Sequence, residues 1–419
     1  MENGNTKSSL RELIEIDMAR QLGKPIKIKR FWTWLIIDFF FIQLIVGPFT
    51  VSVWCAGWQL YDTFFFWIAR SLLSSGNSTN ESDTFESSPE YIIQAIICLV
   101  IGTVSSILLV VFSQNLEDFA ARTGKDVYFL VSRLFSVLRF FTTLLYWKGS
   151  FDLLYSVDIW ETSVITLSLA FVVLKSCGCF KTAAVTPPLG VFLDSTRNYV
   201  QIDSFLESKR TDSWKNRCLD GLVTTLLEII AAVCTYATWT ILDHLFDVLG
   251  FPFSVILYNH LISILLAHLL SALIFVLQFK YLRFHAESTS WFLKEIFFTL
   301  LLFLSLLSTT SYIRGWWHIF GLLFVNGYPH YLEFFFLFIS FAGILALGIS
   351  SYNHSGISRE SRREEEGILF PFFYFSYYLR EKHQEQVEHN NRVLDSVVDD
   401  LVFCLEPLNN ADRDDGSSQ

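Results

Sequence analysis

Several ionisable side chains stand inside stretches that are otherwise apolar: Asp38, Arg133, Arg139, Glu228, His260, His268 and the adjacent Lys294 and Glu295. At the centre of a membrane-spanning helix each such group costs about 2.5–3.5 kcal/mol, so each has either a partner or a task. Two chemistries fit the mixture. Asp38 or Glu228 can pair with Arg133, Arg139 or Lys294 from another helix and fix the bundle, or the carboxylates can line a path for an ion or a substrate. Catalysis has little to start from, because no nucleophile elbow, zinc-protease helix, phosphate loop or dinucleotide fingerprint occurs and the nine histidines are scattered. The chain is read as a non-enzyme without catalytic residues, cofactor or metal.

Two further groups stand beside the apolar stretches. Lys148-Gly149 and Arg314-Gly315, the latter followed by Trp316-Trp317, are cations next to glycine with aromatics around them. That pattern suggests a tight turn at the outer headgroup level, serving as a lipid anchor or as two equivalent docking sites for an anionic group or a partner loop. Cys177-Gly178-Cys179 lies between Lys175 and Lys181. A lone Cys-x-Cys is a poor zinc signal, so these cysteines are either palmitoylation candidates or unmodified small residues at a helix end.

The elements that must position these groups follow from the length of the apolar runs. A crossing needs roughly 20 residues, and eight runs qualify, with cores at 31–55, 91–113, 127–146, 158–175, 221–242, 254–279, 289–311 and 330–351. The expected fold is all-α, a polytopic membrane bundle. The chain is 52% hydrophobic, and its 42 phenylalanines against 9 prolines rule out collagenous and disordered classes. Its net charge of −10 makes nucleic acid an unsuitable partner, while basic residues beside apolar runs point to membrane lipid.

With eight crossings and both termini cytoplasmic, 25 of the 31 lysines and arginines fall on the cytoplasmic side. Only Arg70, Lys148 and Arg314 lie in outside loops, so the first apolar stretch is read as one long helix with an aromatic extension rather than two crossings. The acceptors Asn77 and Asn80 then face outside as N-glycosylation sites, and a third match at Asn353 falls in the cytoplasm. None of the seven cysteines lies in an outside loop, so no structural disulfide is expected. The first thirty residues are polar, leaving the first span as the insertion signal.

The two halves resemble each other. Trp58 and Asp62 recur as Trp239 and Asp243 at an offset of 181 residues, and Tyr146-Trp147-Lys148-Gly149 recurs as Tyr312-Ile313-Arg314-Gly315 at 166. Asp38 and Glu228 each stand in the first span of a half. Four spans per half give a parallel repeat. The expected organisation is an N-tail (1–30), a first four-helix repeat (31–175), a cytoplasmic loop (176–220), a second repeat (221–351) and a C-tail (352–419). That tail holds an interfacial aromatic segment at 369–378 and a polar helix from Arg380 to Val402, which either binds a partner or is merely solvated.

Eight spans with cytoplasmic ends, two four-span halves, and the motifs Tyr-Trp-Lys-Gly-Ser-Phe and Tyr-Ile-Arg-Gly-Trp-Trp resemble the Fuseless family of animal membrane proteins, over roughly residues 30–380. The resemblance implies a plasma-membrane protein of the presynaptic active zone that supports synaptic transmission and the placement of voltage-gated calcium channels, with those channels or other synaptic proteins as partners. It implies no catalytic activity or cofactor. The competing reading from the residues is a secondary transporter or channel using Asp38 and Glu228 at the repeat interface.

Overall fold

The computed structural model describes residues 31–73, 89–156, 160–185, 189, 202, 204–207, 212–248, 256–287, 290–325 and 331–349. The N-tail, Asn77, Asn80, Asn353 and the whole C-tail lie outside these residues. Every regular element among the described residues is helical. In order they are α1 (Phe31–Phe41), a π-helical turn (Ile42–Val46), α2 (Gly47–Leu73), α3 (Pro89–Arg122), α4 (Lys125–Tyr155), α5 (Trp160–Ser176), α6 (Lys181–Ala184), α7 (Trp214–Val248), α8 (Ile256–Glu287), α9 (Trp291–Val325) and α10 (Tyr331–Ala346). Six described helical stretches are long and apolar enough to cross a membrane: Thr33–Leu72, Pro89–Ala120, Asp126–Tyr155, Trp214–Val248, Leu257–Tyr281 and Trp291–Leu322. The expected spans at 158–175 and 330–351 appear as helices of 17 and 16 described residues. At about 1.5 Å per residue these reach some 24–26 Å, short of a full hydrocarbon layer.

The helices carry an inverted amphipathicity. Leucine and valine face outward in regular helical spacing (Leu261, Leu265, Leu269, Leu273 and Val276 on α8), whereas Ser305, Ser308, Thr309, Thr310 and Ser311 of α9 are buried. Lipid competes for the apolar face, so small hydroxyl residues are placed where helices approach and bond across. Ser263 donates to the Ser311 carbonyl at 2.8 Å, and Ser308 donates to the Ala267 carbonyl at 2.9 Å.

Two antiparallel hairpins, α3 with α4 and α8 with α9, are the most extensive pairings. Between them the halves interlock: α5 packs on α7, α10 packs on α2, α4 touches α7 and α9 touches α2. One hydrophobic core therefore draws on both halves, with Val53, Phe140, Leu174, Leu227, Phe298 and Ile344 among its members. Both α5 and α10 end on a glycine with positive φ, Gly178 and Gly348, each at +64°. In each case the next amide bonds back to a carbonyl one turn inside, Cys179 to Leu174 and Ile349 to Ile344, a closure that only the left-handed glycine permits cheaply.

The segment after α5 departs from the expected cytoplasmic loop. Residues 179–185 are buried, including Lys181 and all of α6. The Ala184 carbonyl accepts bonds from Ser305 at 2.5 Å and Thr309 at 3.4 Å, and Phe180 packs on Phe303. Ser305 lies 14 residues into α9, about 21 Å along it, so the chain turns at Gly178 and re-enters the bundle. Irregular backbone is tolerated at such depth only when protein surrounds it, and α7 and α9 do so.

The first long helix is continuous from Phe31 to Leu73 but for the π turn. Pro48 has no N–H to give the preceding turn, and the Gly47 amide bonds back to the Ile42 carbonyl rather than to Gln43. The Gln43 carbonyl accepts the Tyr312 hydroxyl of α9 at 2.6 Å instead.

Candidate functional site

The buried charges form two layers. In the first, Arg139 of α4 reaches across to Glu228 of α7, with Nη2 to Oε1 at 2.5 Å and side-chain exposures of 0% and 2%. The second carboxylate oxygen accepts the Tyr146 hydroxyl at 3.0 Å. Arg139 Nη1 donates to Ser106 of α3 at 2.6 Å, and Thr225 donates to the same Ser106 oxygen at 3.0 Å. Both oxygens of the carboxylate are thus engaged by residues of the opposite half. Such a pair adds little net stability over an apolar filling, but removing one partner strands the other and costs about 3–5 kcal/mol.

The reciprocal contact, α9 on α2, is neutral. Tyr312 is fully buried against the π turn, with its hydroxyl on the Gln43 carbonyl, while the Gln43 side chain meets His268 Nδ1 at 2.9 Å. A Cβ on Gly47 would lie 2.3 Å from the Tyr312 oxygen, so glycine is required for the ring to enter. Tyr146 and Tyr312 come from matched motifs, yet one meets a carboxylate and the other a backbone carbonyl. Asp38 is buried one helix turn and more before Gln43.

The second layer lies toward the C-terminal ends of α2 and α7. Lys148 is fully buried, with Asp62 of α2 and Asp152 of α4 both bonded to its ammonium, the latter at 2.6 Å. Tyr91 donates to Asp152 at 2.9 Å, Gln94 donates to Asp62 at 3.0 Å, and the ammonium sits 5.0 Å from the Trp58 ring. In the other half Arg314 is ion-paired through Nε to Asp243 of α7 and lies 4.7 Å from the Phe246 ring. Beside it His318 of α9 stacks on His260 of α8 at 4.4 Å and meets the edge of Trp239. Trp58 and Trp239 both contact Trp317, joining the two clusters through aromatic rings.

These contacts replace the expected turns. Lys148 and Arg314 stand within helices, 0% and 5% exposed, with their charges turned into the protein. Their glycines serve helix approach instead: a Cβ on Gly149 would meet the Leu99 amide nitrogen at 2.5 Å and the Ala95 carbonyl at 2.6 Å, and one on Gly315 the His260 carbonyl at 2.8 Å. Small residues let the hairpin backbones come close, and the cation beside each glycine is thereby carried into the interior, where a carboxylate must meet it. Trp316 stacks on Phe320 and packs with Tyr312 and Val51.

The remaining candidates are dispersed. Glu295 pairs with Lys175 at 2.6 Å, bringing the end of α5 to the start of α9, and Lys294 beside it is half-buried. Arg133 lies over the Phe129 ring at 4.7 Å, on the same helix. Cys179 is fully buried, whereas Cys177 is half-buried and remains the more accessible of the two thiols. Among the described residues no group of three or more His, Cys, Asp or Glu could hold a metal. Sequence reasoning passed over Ser106, Gln43 and Tyr91 as partners of these groups. The Lys148–Asp152 pair was legible as an i,i+4 spacing, but Ser106 and Gln43 carried no signal.

A model of the Fuseless family matches residues 33–352. No curated protein and no solved structure matches the chain.

Proposed function

The chain belongs to the Fuseless family, and from that premise we propose that it is a non-enzymatic, multi-pass organiser of the plasma membrane, acting at the presynaptic active zone in support of synaptic transmission and calcium-channel placement. Membrane-length apolar helices and the family support the membrane assignment. The observation that carries the organising role is the occupancy of the buried charges. Arg139 and Tyr146 take up both oxygens of Glu228, so the carboxylate most suited to carry a solute is engaged in holding the two halves together.

In this reading the chain crosses eight times as a parallel four-plus-four repeat, with both termini cytoplasmic and Asn77 and Asn80 glycosylated outside. The matched packing of α5 on α7 and of α10 on α2 supports the repeat. Cys177 is the favoured position for acylation, and the segment 380–419 binds the partner. Deleting 380–419 is expected to abolish co-purification of synaptic partners, calcium channels included, while the membrane core still folds. Full retention of partners and activity would sink the proposal.

One observation favours transport as a second reading: the re-entrant segment at 179–185 brings backbone carbonyls to the hydroxyls of α9. Uptake or current in reconstituted vesicles, abolished by Glu228→Gln, is what that reading requires.

A further inference from the structure

The two end clusters occupy matching places in the chain but carry different charge. Arg314 follows Lys148 by 166 residues, and His318 follows Asp152 by the same 166; Asp243 follows Asp62 by 181. The geometry agrees with that register: Lys148 pairs with Asp62 as Arg314 pairs with Asp243, and Gly149 meets α3 at Ala95 as Gly315 meets α8 at His260. In the first cluster one cation faces two carboxylates. In the second the position of Asp152 is taken by His318, so among the described residues Arg314 is ion-paired to a single carboxylate.

The missing acceptor leaves donors unused. Arg314 is only 5% exposed and its Nη1 has no hydrogen-bond partner among the described residues. His260, 6% exposed, has an Nδ1 in the same condition, and its ring is stacked on His318. Both imidazoles are within electrostatic range of the Arg314 guanidinium. Buried guanidinium N–H groups are bonded in nearly every protein, and a carboxylate is the acceptor their geometry suits. The Asp243 side chain paired with Arg314 is 39% exposed, so the cluster lies next to solvent.

We propose that the Arg314–His260–His318 cluster is a binding site for a small monovalent anion, a halide or a carboxylate, which stands where the Asp152 carboxylate stands in the first half. The anion accepts from Arg314 Nη1 and lies beside the stacked imidazoles. It restores the balance of two negative charges to one cation that Lys148 has permanently. The first cluster has its second acceptor built in and binds no anion.

The test uses the full-length chain in detergent micelles, with unfolding followed by tryptophan fluorescence at constant sodium concentration. Chloride and acetate are each titrated against gluconate, a much bulkier anion of the same charge. The wild type is expected to gain roughly 2–5 °C in a saturable manner with one or both small anions, and the arm that responds identifies halide or carboxylate. His318→Asp, which supplies the carboxylate covalently, is expected to lose the response. If that variant does not fold, Arg314→Lys decides, because lysine keeps the Asp243 pair without the spare Nη1. Equal unfolding temperatures in all three salts, or a full saturable response in whichever variant folds, would overturn the site.

Discussion

In the first half of the chain a lysine sits between two aspartates, and in the second an arginine sits between one aspartate and a pair of stacked histidines. The deeper layer shows the same asymmetry. The α4–α7 contact carries an arginine, a glutamate and a tyrosine, while the α9–α2 contact carries a tyrosine, a glutamine and a π turn. Corresponding positions of the two sequence motifs thus hold unmatched charge. What is shared is geometry, namely close glycine contacts within each hairpin and a tyrosine reaching into the other half, and what differs is whether an ion pair or a neutral hydrogen bond completes it. The first half's contacts are brittle, since Arg139, Glu228, Lys148 and Asp152 are all buried and each depends on a charged partner; the second half's rest on fewer ion pairs among the described residues and are more tolerant.

The sharpest way to break that contrast is Arg139→Met, which leaves Glu228 buried without its cation. A loss of about 3–5 kcal/mol is expected, read as a collapse of unfolding temperature in micelles, with most of it recovered in Arg139→Met/Glu228→Gln. If the double variant is no better than the single one, the pair is not what couples α4 to α7.

At the ends of the helices, Lys148→Met strands two carboxylates and Arg314→Met only one. The first is expected to cost about 3 kcal/mol and the second distinctly less, because both Asp62 and Asp243 are over a third exposed and can recover water. Equal losses would erase the distinction between the clusters.

The glycines give a smaller effect. A methyl at Gly149 meets the Leu99 amide nitrogen and the Ala95 carbonyl at 2.5 and 2.6 Å, whereas at Gly315 the one backbone atom within 3.0 Å is the His260 carbonyl, at 2.8 Å, behind the Cγ1 of Ile264 at 2.5 Å. Gly149→Ala is therefore expected to cost about 2–3 kcal/mol and Gly315→Ala about 2, measurable as a difference in unfolding temperature between two otherwise identical preparations. The smallest change is Tyr312→Phe, which frees one backbone carbonyl for about 1 kcal/mol. Tyr146→Phe should exceed it, since a carboxylate loses a donor.

Helix positions were legible because apolar runs of membrane length leave few alternatives, and the matched motifs pointed to the residues that form both end clusters. The interpretation of those motifs was not legible. Counting apolar residues closed the third spans at 146 and 311, which left Lys148 and Arg314 looking like loop residues. The partners that admit them to the interior, Asp62 and Asp243, stand 86 and 71 residues away, beyond any local pattern. The equation of Asp38 with Glu228 was drawn from residue type alone; by register Glu228 corresponds to Gly47 at the π turn, nine residues and about 13 Å further along than Asp38. The re-entrant segment escaped notice because its apolar run is only a few residues long and its depth is set by hydroxyls of α9 that lie more than a hundred positions later.

The separation of Arg139 from Glu228 has a consequence for biosynthesis. Glu228 is translated 89 residues after Arg139, so at about 5–20 residues per second the arginine waits some 5–20 s for its carboxylate. During that interval Ser106, already made, is the acceptor within reach. The Ala184 carbonyl waits longer still, for Ser305 is made 121 residues after it. Neither half can complete its interior on emerging from the ribosome, and the first must be held in the membrane, unfinished, until the second arrives.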